Sequence, residues 1–262
     1  MVAIREAAVA GQFYPAGRER LSRTVNSLLD EAGAVDAAAP KALIVPHAGY
    51  IYSGPVAASA YARLRPHRHL YHRVILLGPC HRVPVHGFAL SGADVFRTPL
   101  GDVPVDASVI GQIRANDVNV FDETHRFEHS LEVHLPFLQT VLDAFTLVPI
   151  VVGDATSDRV AAVLEQLWGG PETLIVVSSD LSHYLDDASA RRKDSATCAA
   201  IESFDAASIG HDSACGATPV GGLLVAAARR GMSVHTLDLR NSGDTAGDGN
   251  QVVGYGAWEF RE

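Results

Sequence analysis

Twice in this chain a short apolar run ends at a proline or glycine turn that carries a histidine, and this repeated layout limits what the sequence can fold into. The run Ala42 to Val45 stops at Pro46 and is followed by His47, while Val74 to Leu77 stops at Gly78 and Pro79 and is followed by His81. Apolar runs without polar alternation fit strands buried on both faces, as in the middle of a parallel sheet. Gly49 and Gly54 let the chain turn after His47, and Pro55 predicts the first turn of a helix that Val56 to Tyr61 continue. Both histidines then stand at carboxyl ends of strands, where open α/β sheets place their ligands. Each could close its own loop through one hydrogen bond or offer a donor to a shared crevice. Imidazole is the commonest protein metal ligand, and an open metal site takes about three donors from separate elements.

The rest of the chain repeats the alternation. Strands are expected at Thr146 to Val152 and Leu174 to Val177, with helices at about Arg18 to Glu31, Ser157 to Trp168 and Asp187 to Ser203. Leu21, Val25, Leu28 and Leu29 give the first of these helices an apolar stripe. Val85 to Leu90 reads as a strand, Phe96 to Val105 as an irregular or hairpin excursion, and Asp106 as the cap of a helix to about Arg114. Ser233 to Leu239 and Val252 to Phe260 read as antiparallel strands joined by the Gly- and Asp-rich loop Asn241 to Gln251, which lacks the lysine and following helix of a P-loop. The fold class is α/β, with a largely parallel central sheet and helices on both faces, in one domain over residues 1–262.

Three further segments carry polar chemistry. Ser178 to Tyr184 puts Asp180 and His183 at a third strand end; the aspartate could orient the histidine as a general base, or cap the next helix and leave His183 idle. Thr124 to Leu142 holds His129 and Glu132 one helical turn apart, placed for pocket contact or for an exposed first turn, with Pro136 kinking the helix or starting it. Cys215 precedes a helix that Pro219 helps to start, where the macrodipole should lower its thiol pKa, whereas Cys198 lies in mid-helix among alanines and reads as inert.

A net charge of −9 argues against a nucleic-acid partner. No apolar run is long enough to span a bilayer, and Arg5 and Glu6 stand where a signal peptide needs an apolar core, so a cytoplasmic protein is expected. Three cysteines at spacings that match no disulfide framework or zinc finger agree with that.

With GQFYP at Gly11, PHAGYIYSG at Pro46, LGPCHRVP at Leu77, EHSLEVHLPF at Glu128, SSDLSHY at Ser178, CGATP at Cys215 and SGDTAGD at Ser242, the chain resembles the Memo family, also labelled AmmeMemoRadiSam system protein B. The resemblance implies a fold related to the class III extradiol dioxygenases, whose ferrous iron is held by two histidines and a carboxylate. In Memo proteins the matching pocket holds two histidines and a cysteine, which fall on His47, His81 and Cys215. Asp180 and His183 match residues beside the metal, with His183 near the place of the dioxygenase base, and Tyr52, His129 and Glu132 are expected to line the pocket. Cys80 stands where the family often has serine. A thiolate shifts metal preference toward iron, copper or zinc and away from magnesium or calcium. A metal-dependent redox protein acting on a small-molecule or peptide ligand is therefore expected. An animal relative is described as a phosphotyrosine-peptide adaptor, which implies a binding module instead. The bacterial label implies work beside an AMMECR1-like protein and a radical SAM enzyme.

Overall fold

The computed structural model describes residues 2–33, 38–113 and 117–262. In chain order its strands are β1 (Ile4–Arg5), β2 (Ala42–Val45), β3 (Arg73–Pro79), β4 (Phe88–Leu90), β5 (Val95–Thr98), β6 (Gly101–Pro104), β7 (Val118–Val120), β8 (Thr146–Val152), β9 (Thr173–Ser178), β10 (His183–Leu185), β11 (Ser233–Asn241) and β12 (Val252–Arg261). Its α-helices are α1 (Arg18–Glu31), α2 (Tyr50–Tyr61), α3 (Ala107–Ile110), α4 (Asp122–Arg126), α5 (Leu135–Val141), α6 (Ser157–Leu167), α7 (Asp187–Glu202) and α8 (Ala217–Arg229).

At the centre of the larger sheet, β2, β9, β3 and β8 lie side by side and parallel, so the expected parallel core is present. Its flanks are mixed: β12 joins β2 antiparallel and pairs with both β10 and β11, while β4 joins β8 antiparallel and carries β7. The four central strands are buried on both faces because their sequences leave no polar alternation. Leu43, Val45, Val74, Leu76 and Val176 pack on one face with α1, α2 and α5; Ile44, Ile75, Leu77, Ile175 and Val177 pack on the other with α6, α7 and α8.

Several boundaries differ from the sequence reading for local reasons. The α2 helix starts at Tyr50, so Pro55 sits inside it and one main-chain hydrogen bond is forgone. Phe96 to Val105 does form a hairpin, β5 with β6, and β1 adds to it as a separate three-stranded sheet that was not foreseen. Asp106 caps α3 by accepting from the Val109 N–H, but that helix stops at Ile110; Arg114 lies outside the described residues. Thr124 to Leu142 is not one helix: α4, a 3-10 turn at Glu132–His134 and α5 follow one another, with Pro136 in the first turn of α5. Asn241 to Gln251 opens as a capped turn, with Asn241 accepting from the Gly243 N–H and Asp244 from the Asn241 N–H. Among the described residues no helix is long and apolar enough to cross a membrane.

Because β9 lies between β2 and β3, the loops after these strands emerge side by side. They carry His47, Ser179 with Asp180, and Cys80 with His81.

Candidate metal centre

His47 is buried at the end of β2, and its ring orientation is imposed from behind. Its Nδ1 lies 2.6 Å from Ser178 Oγ, and that hydroxyl gives its own proton to the Ser130 carbonyl at 2.7 Å. With the hydroxyl proton engaged, Ser178 accepts from His47 Nδ1–H, and the lone pair of Nε2 is left facing the pocket. The His47 main-chain N–H donates to Asp180 Oδ1 at 2.7 Å.

His81 is oriented by a different device. Its Nδ1 is 2.9 Å from Glu128 Oε1, and its main-chain N–H donates to Oε2 at 2.6 Å. Oε1 also accepts the N–H groups of His129 and Ser130, at 2.9 and 3.0 Å. Burial alone would raise the Glu128 pKa, but the hydrogen bond and charge of His81 and these main-chain donors outweigh it and bring it down to about 2. Glu128 belongs to the candidate site through these contacts, and the sequence reading did not single it out.

The same loop brings His129 over His81. Their rings stack with centroids 4.7 Å apart and planes inclined by 25°, and the His47 ring stands edge-on at 5.2 Å from His81 and 5.4 Å from His129. One potential donor atom from each of the three lies within 4.8 Å of the other two. Burial, then the neighbouring imidazoles, holds His47 well below the usual histidine range; burial brings His129 down to about 4. His47 and His129 can therefore offer neutral nitrogen donors, and His47 and His81 are each held from behind by an oxygen, as metal-ligating histidines commonly are. His129 Nδ1 is buried without a hydrogen-bond partner.

Cys215 approaches from the other side, with Sγ 3.5 Å from His47 Nε2. Donors of one tetrahedral site, bound at about 2.0 Å for nitrogen and 2.3 Å for sulfur, lie about 3.5 Å apart. The thiol accepts the Asp180 N–H at 3.3 Å, and the Cys215 N–H donates to the Asp180 carbonyl at 3.1 Å. It does not join all three imidazoles within the 4.8 Å span. Its acidity corrects the sequence expectation: burial first, and the Asp180 carboxylate second, push the thiol up to about 12 and override the helix terminus. A bound cation would reverse that balance, because metal-bound thiols deprotonate.

Asp180 is buried, and burial raises its carboxyl to about 6 against the opposing hydrogen bond from the His47 N–H. His183, on β10, points its Nδ1 at the Leu181 carbonyl at 2.8 Å; Nδ1 is therefore the protonated nitrogen and Nε2 is free to take a proton. Tyr52 is exposed in the first turn of α2. Glu132 requires a correction. Its fully buried carboxylate is engaged by Arg5, by Tyr14 Oη at 2.5 Å and by the N–H groups of Ala8 and Val9, so it anchors the N-terminal segment rather than contacting a pocket ligand. Cys80 donates to the Val83 carbonyl at 2.6 Å, and Cys198 is buried beside Thr236 Oγ1 at 3.3 Å.

Fold and site together define an α/β protein with a pocket at the carboxyl ends of its central strands in which three histidines converge. The family profile described as Memo-like protein matches residues 5–259, and this chain belongs to that family. A MEMO1 family protein of Aquifex aeolicus is 36% identical over 267 residues, covering 96% of this chain and 97% of its own; one of Aeropyrum pernix is 38% identical over 278 residues, covering 97% and 98%. A solved structure of an uncharacterized protein from Escherichia coli K12 overlays with a TM-score of 0.49 at 12% identity, covering 83% of this chain and 98% of that one.

Proposed function

We propose that this pocket is a redox-active metal centre of extradiol-dioxygenase ancestry, with His47 and His81 as its invariable donors and iron or copper as its metal. The observation that carries the reading is the convergence of His47, His81 and His129 within 4.8 Å. The Cys215 thiolate is the further donor that favours iron or copper over harder cations, through its 3.5 Å approach to His47 Nε2. Bound metal would supply an electron couple and a Lewis acid to a ligand in the pocket. The chain's own groups do the rest. Ser178 and Glu128 hold two imidazoles in the donor orientation, Asp180 fixes the His47 loop through its N–H, and His183 takes or gives a proton at Nε2.

Elemental mass spectrometry on protein purified without oxygen tests the assignment, comparing wild type with His47→Ala, Cys215→Ser and His129→Ala. Near-stoichiometric iron or copper in wild type, lost in His47→Ala, is expected. Loss in Cys215→Ser with retention in His129→Ala assigns the third position to sulfur, and the converse assigns it to nitrogen. Metal absent from wild type, or retained in all three variants, would sink the metal centre and leave a binding module as the better description.

A further inference from the structure

Beside the imidazoles, between the turn after β3, the end of β8 and the first turn of α8, lies a cavity of about 410 Å³. His81 and Cys215 form the wall it shares with the candidate metal centre, and Arg82, His211, Thr218 and Asp154 line the remainder. The volume falls in the range of small-molecule sites. Thr218 Oγ1 and His211 Nε2 are 3.4 Å apart, so the far wall carries a hydroxyl and an imidazole hydrogen-bonded to one another.

Arg82 is the unusual group in this lining. Among the described residues its guanidinium has no ion pair and no hydrogen bond, although the chain carries more carboxylates than cations and pairs most of its other arginines with them. It is near enough to the cluster for its charge to act on His129. The one carboxylate of the lining, Asp154, is turned to the rim, where it is largely exposed and 3.4 Å from His86 Nδ1. Next to the donor groups the pocket thus offers a cation with five unclaimed N–H donors in a planar fork, the geometry that fits carboxylate and phosphate.

We infer that this cavity is the substrate subsite of the metal centre, and that Arg82 selects small ligands bearing an anionic group, a carboxylate or a phosphate, which it holds with their neutral part against His81 and Cys215. The inference rests on the metal-centre reading for the word substrate, but the anion preference belongs to the cavity itself. Arg82 is exposed and unpaired, so its replacement removes recognition without opening a hole in the core.

Isothermal titration calorimetry of chelator-treated full-length protein with benzoate, phenyl phosphate and neutral benzamide provides the test; removing metal keeps the anions from binding to it directly. Wild type should bind at least one anion about tenfold more tightly than benzamide, since a charge-assisted hydrogen bond is worth about that factor. Arg82→Ala should abolish the difference while leaving benzamide unchanged, and Arg82→Lys should restore part of it. The tighter of the two anions tells carboxylate from phosphate. Equal binding of all three probes, or an unchanged anion preference in Arg82→Ala, would overturn the inference. Metal content, measured on samples taken before chelation, fails or holds separately: anion preference in a protein that never carried metal keeps the subsite and removes only the metal centre.

Discussion

One carboxylate, that of Glu128, holds His81 at two points, through ring Nδ1 at 2.9 Å and main-chain N–H at 2.6 Å, and so fixes both where the loop runs and which way its imidazole faces. The same oxygen that meets the ring also gathers the N–H groups of His129 and Ser130. Glu128→Gln keeps the size but loses the charge and half of the acceptor capacity. Metal affinity, measured by competition with a chelator, should fall about 10- to 100-fold, the usual cost of losing an outer-shell partner. An unchanged affinity would mean that His81 is oriented by something else.

Ser178 sets the tautomer of His47 because its own proton is committed to Ser130. In Ser178→Ala the buried Nδ1–H loses its acceptor, at a cost of about 1–3 kcal/mol, and the ring is free to protonate at either nitrogen. Nitrogen-15 spectra of metal-free protein should show a single Nδ1-protonated His47 in wild type and a mixture in the variant. A single tautomer in both would remove Ser178 from the account.

The sequence made the central sheet legible because four uninterrupted apolar runs cannot be half-wetted strands, and two-sided burial of Leu43 with Ile44, and of Ile75 with Leu76, is what they produce. It also made His47 and His81 legible, since strand ends of a parallel sheet converge. Glu128 and Glu132 were harder to separate. On a continuous helix their four-residue spacing would have put both on one face. The non-helical stretch 127–131, between the end of α4 and the 3-10 turn at Glu132–His134, breaks that geometry, and Glu128 meets the imidazoles while Glu132 meets Arg5. Nor could the Cys215 thiol be judged from its place before α8, because the burial and the Asp180 carboxylate that raise it come from the fold.

Two buried histidines outside the pocket couple stability to acid. Burial lowers His125 to about 4 and His134 to about 3, from an ordinary 6.5. As pH falls through about 6.5 the unfolded chain protonates both rings while the folded chain does not, so the unfolded state binds more protons and stability is lost on acidification. Each ring contributes up to about 1.4 kcal/mol per pH unit across that window. The thermal midpoint of metal-free protein should therefore fall from pH 7 to pH 5, and His134→Gln should make the fall shallower. A midpoint independent of pH over that range would show that these rings titrate normally.

His183 and the donor histidines should separate in their effects. His183 Nδ1 is spent on the Leu181 carbonyl, and its ring is not among the three that converge. His183→Ala should therefore keep the metal content of wild type while abolishing any metal-dependent turnover of a pocket ligand. Loss of metal together with activity would place His183 among the ligands instead.

Arg5 and Glu132 hold the N-terminal segment to the core as a buried ion pair, with Tyr14 Oη and two main-chain N–H groups completing the carboxylate's shell. That segment matters to the pocket, because it carries Phe13, whose ring packs 4.8 Å from that of His129. Removing one partner leaves the other charge buried, which costs about 3–5 kcal/mol. Arg5→Met should accordingly lower the unfolding free energy by that amount, whereas Arg5→Met with Glu132→Leu together should recover part of the loss, since no uncompensated charge remains although Tyr14 Oη and the N–H groups of Ala8 and Val9 lose their acceptor. If the latch serves only stability, the double variant will keep the metal affinity of wild type. If it also seats Phe13 against His129, the double variant will recover that part of the stability and still bind metal more weakly, and measuring both quantities on one sample decides between the two.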